Sequence, residues 1–137
     1  MGSAVAVYFR RTYDEAFDLT VEARDYFAGS GQADSRRLED REKLIASCES
    51  MRITSRLIQV MAWLMMQRAL YEGEIDFEEA CAEYNRLSGG GVCLDNHSEM
   101  DETLPSRLRS LLARSYRLYL RIDRLDQQQS RNSSCLG

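Results

Sequence analysis

The chain has 137 residues, of which 44% are apolar and 29% charged. That length and balance suit one globular domain rather than a disordered chain. The net charge of −4 argues against a broad nucleic-acid-binding surface. One proline, Pro105, and glycines confined to a few clusters leave long stretches without a helix breaker, which excludes an all-β chain. The expected fold class is all-α: a three-helix bundle with one very long central helix, a short helix and a flexible acidic loop.

The amino-terminal apolar run, Ala4 to Phe9, is too short for a signal core and follows no basic region. The longest apolar run, Val60 to Met66, falls far short of the ~20 residues that a membrane span requires. The four cysteines, Cys48, Cys81, Cys93 and Cys135, form no CxxC pair. Together these features predict a cytoplasmic protein with reduced thiols and no membrane span.

A capping box at Thr12 and Glu15 predicts a helix over 13–27, with Ala16, Leu19, Ala23, Tyr26 and Phe27 on one apolar stripe. Gly29 and Gly31 are expected to end it, and a polar linker to follow. The second helix is predicted over 35–72, stopped by Gly73. At ~1.5 Å per residue it would be roughly 55 Å long.

Two apolar seams run along this second helix. One reads Leu44, Cys48, Met51, Ser55, Ile58, Ala62, Met65 and Ala69; the other reads Ile53, Leu57, Val60 and Leu64. Two adjacent seams predict a broad buried face. Between Leu57 and Met66 nearly the whole circumference is apolar, so Leu57, Ile58, Met61, Leu64 and Met65 are expected in a bundle core or a dimer interface. A third stripe, Glu49, Arg52, Arg56, Gln59 and Trp63, is polar. It reads either as a protein-binding surface or as a structural network, with Glu49 paired to Arg52 and the arginines reaching carboxylates such as Asp123.

Asp76 and Glu79 cap a short helix ending near Leu87, expected across one end of the bundle. Gly89-Gly90-Gly91 breaks the chain, and an acidic loop runs to Glu102. Residues 72–102 hold ten carboxylates against one arginine. The triple glycine lacks the following Lys-Ser/Thr of a phosphate loop. His97 and Cys93 could be imagined as a dyad or metal pair, but a loop after three glycines fixes no geometry for either. No catalytic, cofactor or metal site is therefore predicted.

The last helix is predicted over 104–126, with Pro105 in its first turn. Leu104, Leu108, Leu111, Ser115, Leu118, Ile122 and Leu125 form the cleanest heptad seam. Six arginines and two aspartates over this helix give +4, a basic face that the acidic 72–102 segment could neutralise. From Gln127 the sequence loses its periodicity, which predicts a domain over 8–126 and a mobile tail over 127–137.

The run from Glu49 through Arg52, Arg56, Gln59, Trp63 and Leu64 to Gln67-Arg68-Ala69 and Glu72-Gly73-Glu74 resembles the family of the regulator of CtrA degradation, an alphaproteobacterial helical protein. Thr12 to Tyr26, Leu104-Pro105 and Arg121 to Asp126 agree with it. The resemblance implies a non-enzymatic homodimeric adaptor without cofactor. Such adaptors assist the ClpXP protease in destroying cell-cycle regulators such as CtrA, with a response-regulator partner and a cyclic-di-GMP-binding partner. Two rival readings remain: a small-molecule-binding bundle or enzyme with an interhelical pocket, and a purely structural oligomerisation module.

Overall fold

The structure, a computed structural model, describes the backbone of residues 2–136 and the side-chain surroundings of residues 4–134. Its described residues are helical or looped, without strands. The elements are α1 (Gly2–Ala28), α2 (Ser30–Arg36), α3 (Asp40–Tyr71), α4 (Phe77–Ala80), a 3-10 turn (Glu83–Asn85), α5 (Gly90–Cys93) and α6 (Ser106–Leu136). Three long helices of 27, 32 and 31 residues make the bundle, so the central helix is not exceptional among them.

The first helix starts well before the expected cap. Thr12 lies inside α1, where its hydroxyl donates to the Tyr8 carbonyl at 2.9 Å. The residues ahead of it are held by packing: the Phe9 ring meets Trp63 and Tyr71, at 5.9 and 5.6 Å between centroids. Past Gly29 the expected linker is itself the helix α2. It crosses close over α1, where a Cβ on Gly31 would lie 2.6 Å from the Tyr26 carbonyl oxygen.

Gly73 ends α3 as expected. Its φ of +75° suits glycine, and Glu74 N–H closes the turn on the Ala69 carbonyl at 2.9 Å. Nothing lies within 4 Å of a Cβ added at Gly73. Gly73→Ala should therefore cost about 1 kcal/mol through backbone strain alone. Urea denaturation should show a lower midpoint with an unchanged slope.

Ion pairs and packing give the directions. Glu22 meets Arg114 and Glu15 meets Arg121, so α1 runs antiparallel to α6. Phe9 against Trp63 and Tyr71 sets the amino-terminal end of α1 beside the carboxy-terminal end of α3. Arg56 reaches Ser115, Trp63 reaches Asp126 and Gln67 reaches Gln129, so α3 and α6 run parallel. Parallel neighbours need a long return connection. Residues 72–105 supply it and run back along the bundle rather than lying across one end.

The core forms where three predicted stripes meet. Ala16, Leu19, Ala23 and Tyr26 of α1, Ile53, Leu57, Val60 and Leu64 of α3, and the heptad seam of α6 from Leu108 to Ile122 are buried. The α6 helix continues through the stretch expected to leave the fold as a tail, reaching Leu136. Gln129 explains the continuation in part: it exchanges paired amide hydrogen bonds with Gln67, at 3.0 and 2.8 Å.

Candidate functional site

The polar stripe of α3 lies inside the protein, beneath the return connection. Glu49, Arg52, Arg56 and Gln59 each hold a piece of that strap directly, and Trp63 reaches it through Asp126 of α6. Glu49 is buried, accepts from Arg52 Nε at 3.0 Å and from the Ser98 hydroxyl at 3.2 Å. Arg52 donates to the Val92 carbonyl and lies 3.6 Å from Asp95. Gln59 accepts from both the backbone N–H and the hydroxyl of Ser88, at 3.1 and 2.9 Å. Trp63 Nε1 donates to Asp126 at 3.0 Å, and Arg86 of the strap meets the other oxygen of that carboxylate at 3.1 Å.

Arg56 is the centre of this seat, with none of its surface exposed. Its guanidinium donates to the carbonyls of Cys93 at 2.8 Å, Asp95 at 2.7 Å and Leu112 at 3.0 Å, and to the Ser115 hydroxyl at 3.2 Å. It also lies 5.0 Å from the centre of the Tyr116 ring. Burial and then the neighbouring Arg52 lower its pKa. The expected Glu49–Arg52 pair is present, but the arginines do not reach Asp123. Backbone carbonyls of the strap take that place, because they arrive from a loop that turns its own peptide groups inward and leaves them in need of donors.

This seat holds the acidic loop against α3. Gly89 (φ +81°) starts the short helix α5, whose Cys93 is fully buried. Burial pushes the Cys93 thiol up in pKa. His97 is exposed and bonded to Asp95, with Glu49 at 3.8 Å. The strap therefore separates Cys93 from His97, one inside and one outside. Among the described residues no group of three or more His, Cys, Asp or Glu could hold a metal ion.

The remaining predicted residues divide in a way the sequence did not show. Leu57 and Leu64 are core, Met61 is half-buried, and Ile58 and Met65 point to solvent. The large residues of the first seam of α3 share that exposure: Leu44 is 67% exposed, Met51 70%, Ile58 60% and Met65 57%. On this helix Glu49, Arg56 and Gln67 are buried beside the second apolar seam, while the four large residues of the first seam face outward. The missed clue was the size alternation in the seam, four large residues interleaved with Cys48, Ser55, Ala62 and Ala69.

A cleft of about 480 Å³ opens between α1 and α3 beside Phe9, Tyr13, Leu64 and Tyr71. Its Arg68 is already paired with Glu72 at 3.0 Å.

Two arginines of the basic face of α6 pair with α1 rather than with the acidic segment. Arg114 Nη2 donates to Glu22 at 2.9 Å and Arg121 Nη2 to Glu15 at 2.9 Å. These hydrogen bonds hold both carboxyls below their ordinary value of 4.5, against a smaller opposing effect of burial. A lowered folded value stabilises the fold above pH 4.5, and that contribution disappears as the pH falls through the lowered value. A Glu15→Gln, Glu22→Gln variant should melt below the parent at pH 7. The gap between the two melting temperatures should close as the solution is acidified below pH 4.5.

With this geometry in place, the sequence profile described as "Protein of unknown function (DUF1465)" matches residues 3–135. The chain belongs to this family. Among solved structures it is similar to RcdA from Caulobacter crescentus CB15, with 40% sequence identity and a TM-score of 0.72. That match covers 88% of this chain and 89% of the other. No curated protein matches. As a family member the chain has an all-α, RcdA-like fold, and no described helix is long and apolar enough to cross a membrane.

Proposed function

We propose that this protein is a non-enzymatic adaptor that brings cell-cycle regulators such as CtrA to the ClpXP protease in the cytoplasm. The observation that carries the proposal is the likeness to RcdA, spread over nearly all of both chains rather than confined to one helix. On this reading the protein acts as a homodimer and works with a response-regulator partner and a cyclic-di-GMP-binding partner. The internal bonding supports it. The polar side chains Arg56 and Gln59 of α3 are engaged in holding the strap, which leaves contact surfaces rather than a reaction centre as the means of action.

The test is reconstituted proteolysis. Purified ClpXP and the client are combined with the two partners, with and without this protein. The client half-life should shorten several-fold only when the protein is present, and the protein itself should persist through many rounds of client destruction. Equal half-lives in both reactions, with the partners shown to be active, would overturn the proposal.

A further inference from the structure

The outward seam of α3 runs opposite the buried face of that helix and is apolar from Leu44 to Ala69 but for the small Ser55. A surface helix that needed no partner would carry polar residues there. Its residues step four and three without interruption, the spacing with which one helix packs on another. Large and small residues alternate strictly: Leu44, Met51, Ile58 and Met65 on one row, Cys48, Ser55, Ala62 and Ala69 on the other.

That alternation is complementary to itself under reversal. Laid antiparallel on a second α3, with the point of reversal between Arg56 and Leu57, each large residue meets a small one. Leu44 falls against Ala69, Met51 against Ala62, Ile58 against Ser55 and Met65 against Cys48. One step further along the same two rows, Arg41 falls against Glu72, so charge closes both ends of the seam. A parallel pairing has the opposite result: it sets Met51 on Met51 and Ala62 on Ala62, leaving bulges and gaps in alternation. Close packing favours the interdigitated arrangement. The heptad row over 25 residues gives a seam of ~38 Å.

We propose that the outward α3 seam is the two-fold interface of this protein, with α3 packed antiparallel on α3 of a second copy in the register that sets Met65 against Cys48. The proposal rests on the homodimer reading given above and assigns it a face and a register. It also leaves the α1–α6 surface and the outer side of the strap free for other partners.

Two measurements on the full-length protein test it. The first uses a parent with Cys81→Ser and Cys135→Ser, so that Cys48 is the accessible thiol. Two Cys48 residues are seventeen positions from their opposed partners' equivalents in this register, ~25 Å apart along the helices, too far for a disulfide, which needs Cα atoms within about 7 Å. Under mild oxidation the parent should remain single-chain, and adding Met65→Cys should give a covalent dimer linked between Cys48 and the introduced thiol. Cross-linking of the parent through Cys48, or none in the Met65→Cys variant, overturns the register.

The second measurement is light scattering. Ile58→Arg should weaken self-association at least ~30-fold, as expected for a central interface residue. Helicity should be retained, since Ile58 is already 60% exposed. A variant that remains as dimeric as the parent overturns the face while leaving the homodimer reading intact. A parent that is monomeric at micromolar concentration overturns both.

Discussion

Arg56→Ala is expected to destabilise this protein by roughly 3–5 kcal/mol, enough to unfold a marginal bundle. The side chain is fully buried and holds three backbone carbonyls, two from the strap and one from α6. Each carbonyl left without a donor inside a protein costs about 1–3 kcal/mol. Removing the charge recovers some of the cost of burying it, which keeps the total below the simple sum. Arg56→Lys should lie between the parent and Arg56→Ala, because an ammonium cannot match the fork that spans Cys93, Asp95 and Leu112. Urea denaturation gives the magnitude. Hydrogen exchange gives the cause: amides over 88–98 should exchange faster in the variant than those of the α1–α6 pairing. A loss under ~1 kcal/mol would show that the strap does not depend on this side chain. Reversing both Arg52 and Arg56 to glutamate should prevent folding, since two new carboxylates would join the buried Glu49 and face inward carbonyls.

Trp63→Ala should cost about 3–5 kcal/mol, the usual range for truncating a large buried aromatic. The indole is 3% exposed, packs against Phe9 from α1 and donates to Asp126 of α6, so one side chain joins all three long helices. The truncation leaves a cavity at the end of the bundle where the amino-terminal turns of α1 are anchored. Trp63→Phe separates the contributions. It keeps most of the packing and removes the N–H donor, while Arg86 still holds Asp126. Its cost should stay near 1–2 kcal/mol, the range for one hydrogen bond to a charged group. Equal losses for the two variants in chemical denaturation would mean that the hydrogen bond, not the ring, carries the effect.

The stripes that became the core of α1 and α6 were legible in the sequence because each of those helices has one dominant apolar stripe. Leu108, Leu111, Leu118 and Ile122 had nowhere else to go. The stop at Gly73 and the cap at Asp76 were legible for a different reason, being set by local backbone chemistry: Glu79 N–H does bond to Asp76, at 2.8 Å. The start of α1 was not, because Thr12 carries the local signature of a cap and only the distant Trp63 and Tyr71 make the earlier residues worth ordering.

On α3 periodicity found all three stripes, and only the tertiary structure decided which way each one faced. A repeat of three and four says which residues share a face; it carries no information about what lies opposite. The first apolar seam looked as buried as the second, yet Leu44, Met51, Ile58 and Met65 turn to solvent while Glu49, Arg56 and Trp63 turn inward. The deciding groups are backbone carbonyls at Cys93, Asp95 and Leu112, and peptide groups have no side-chain signature. Composition and pattern thus determined an all-helical bundle with a polar stripe on its long helix. The path of the return strap determined that the stripe is a buried seat, because only a chain segment brought back from far along the sequence supplies enough acceptors to bury an arginine.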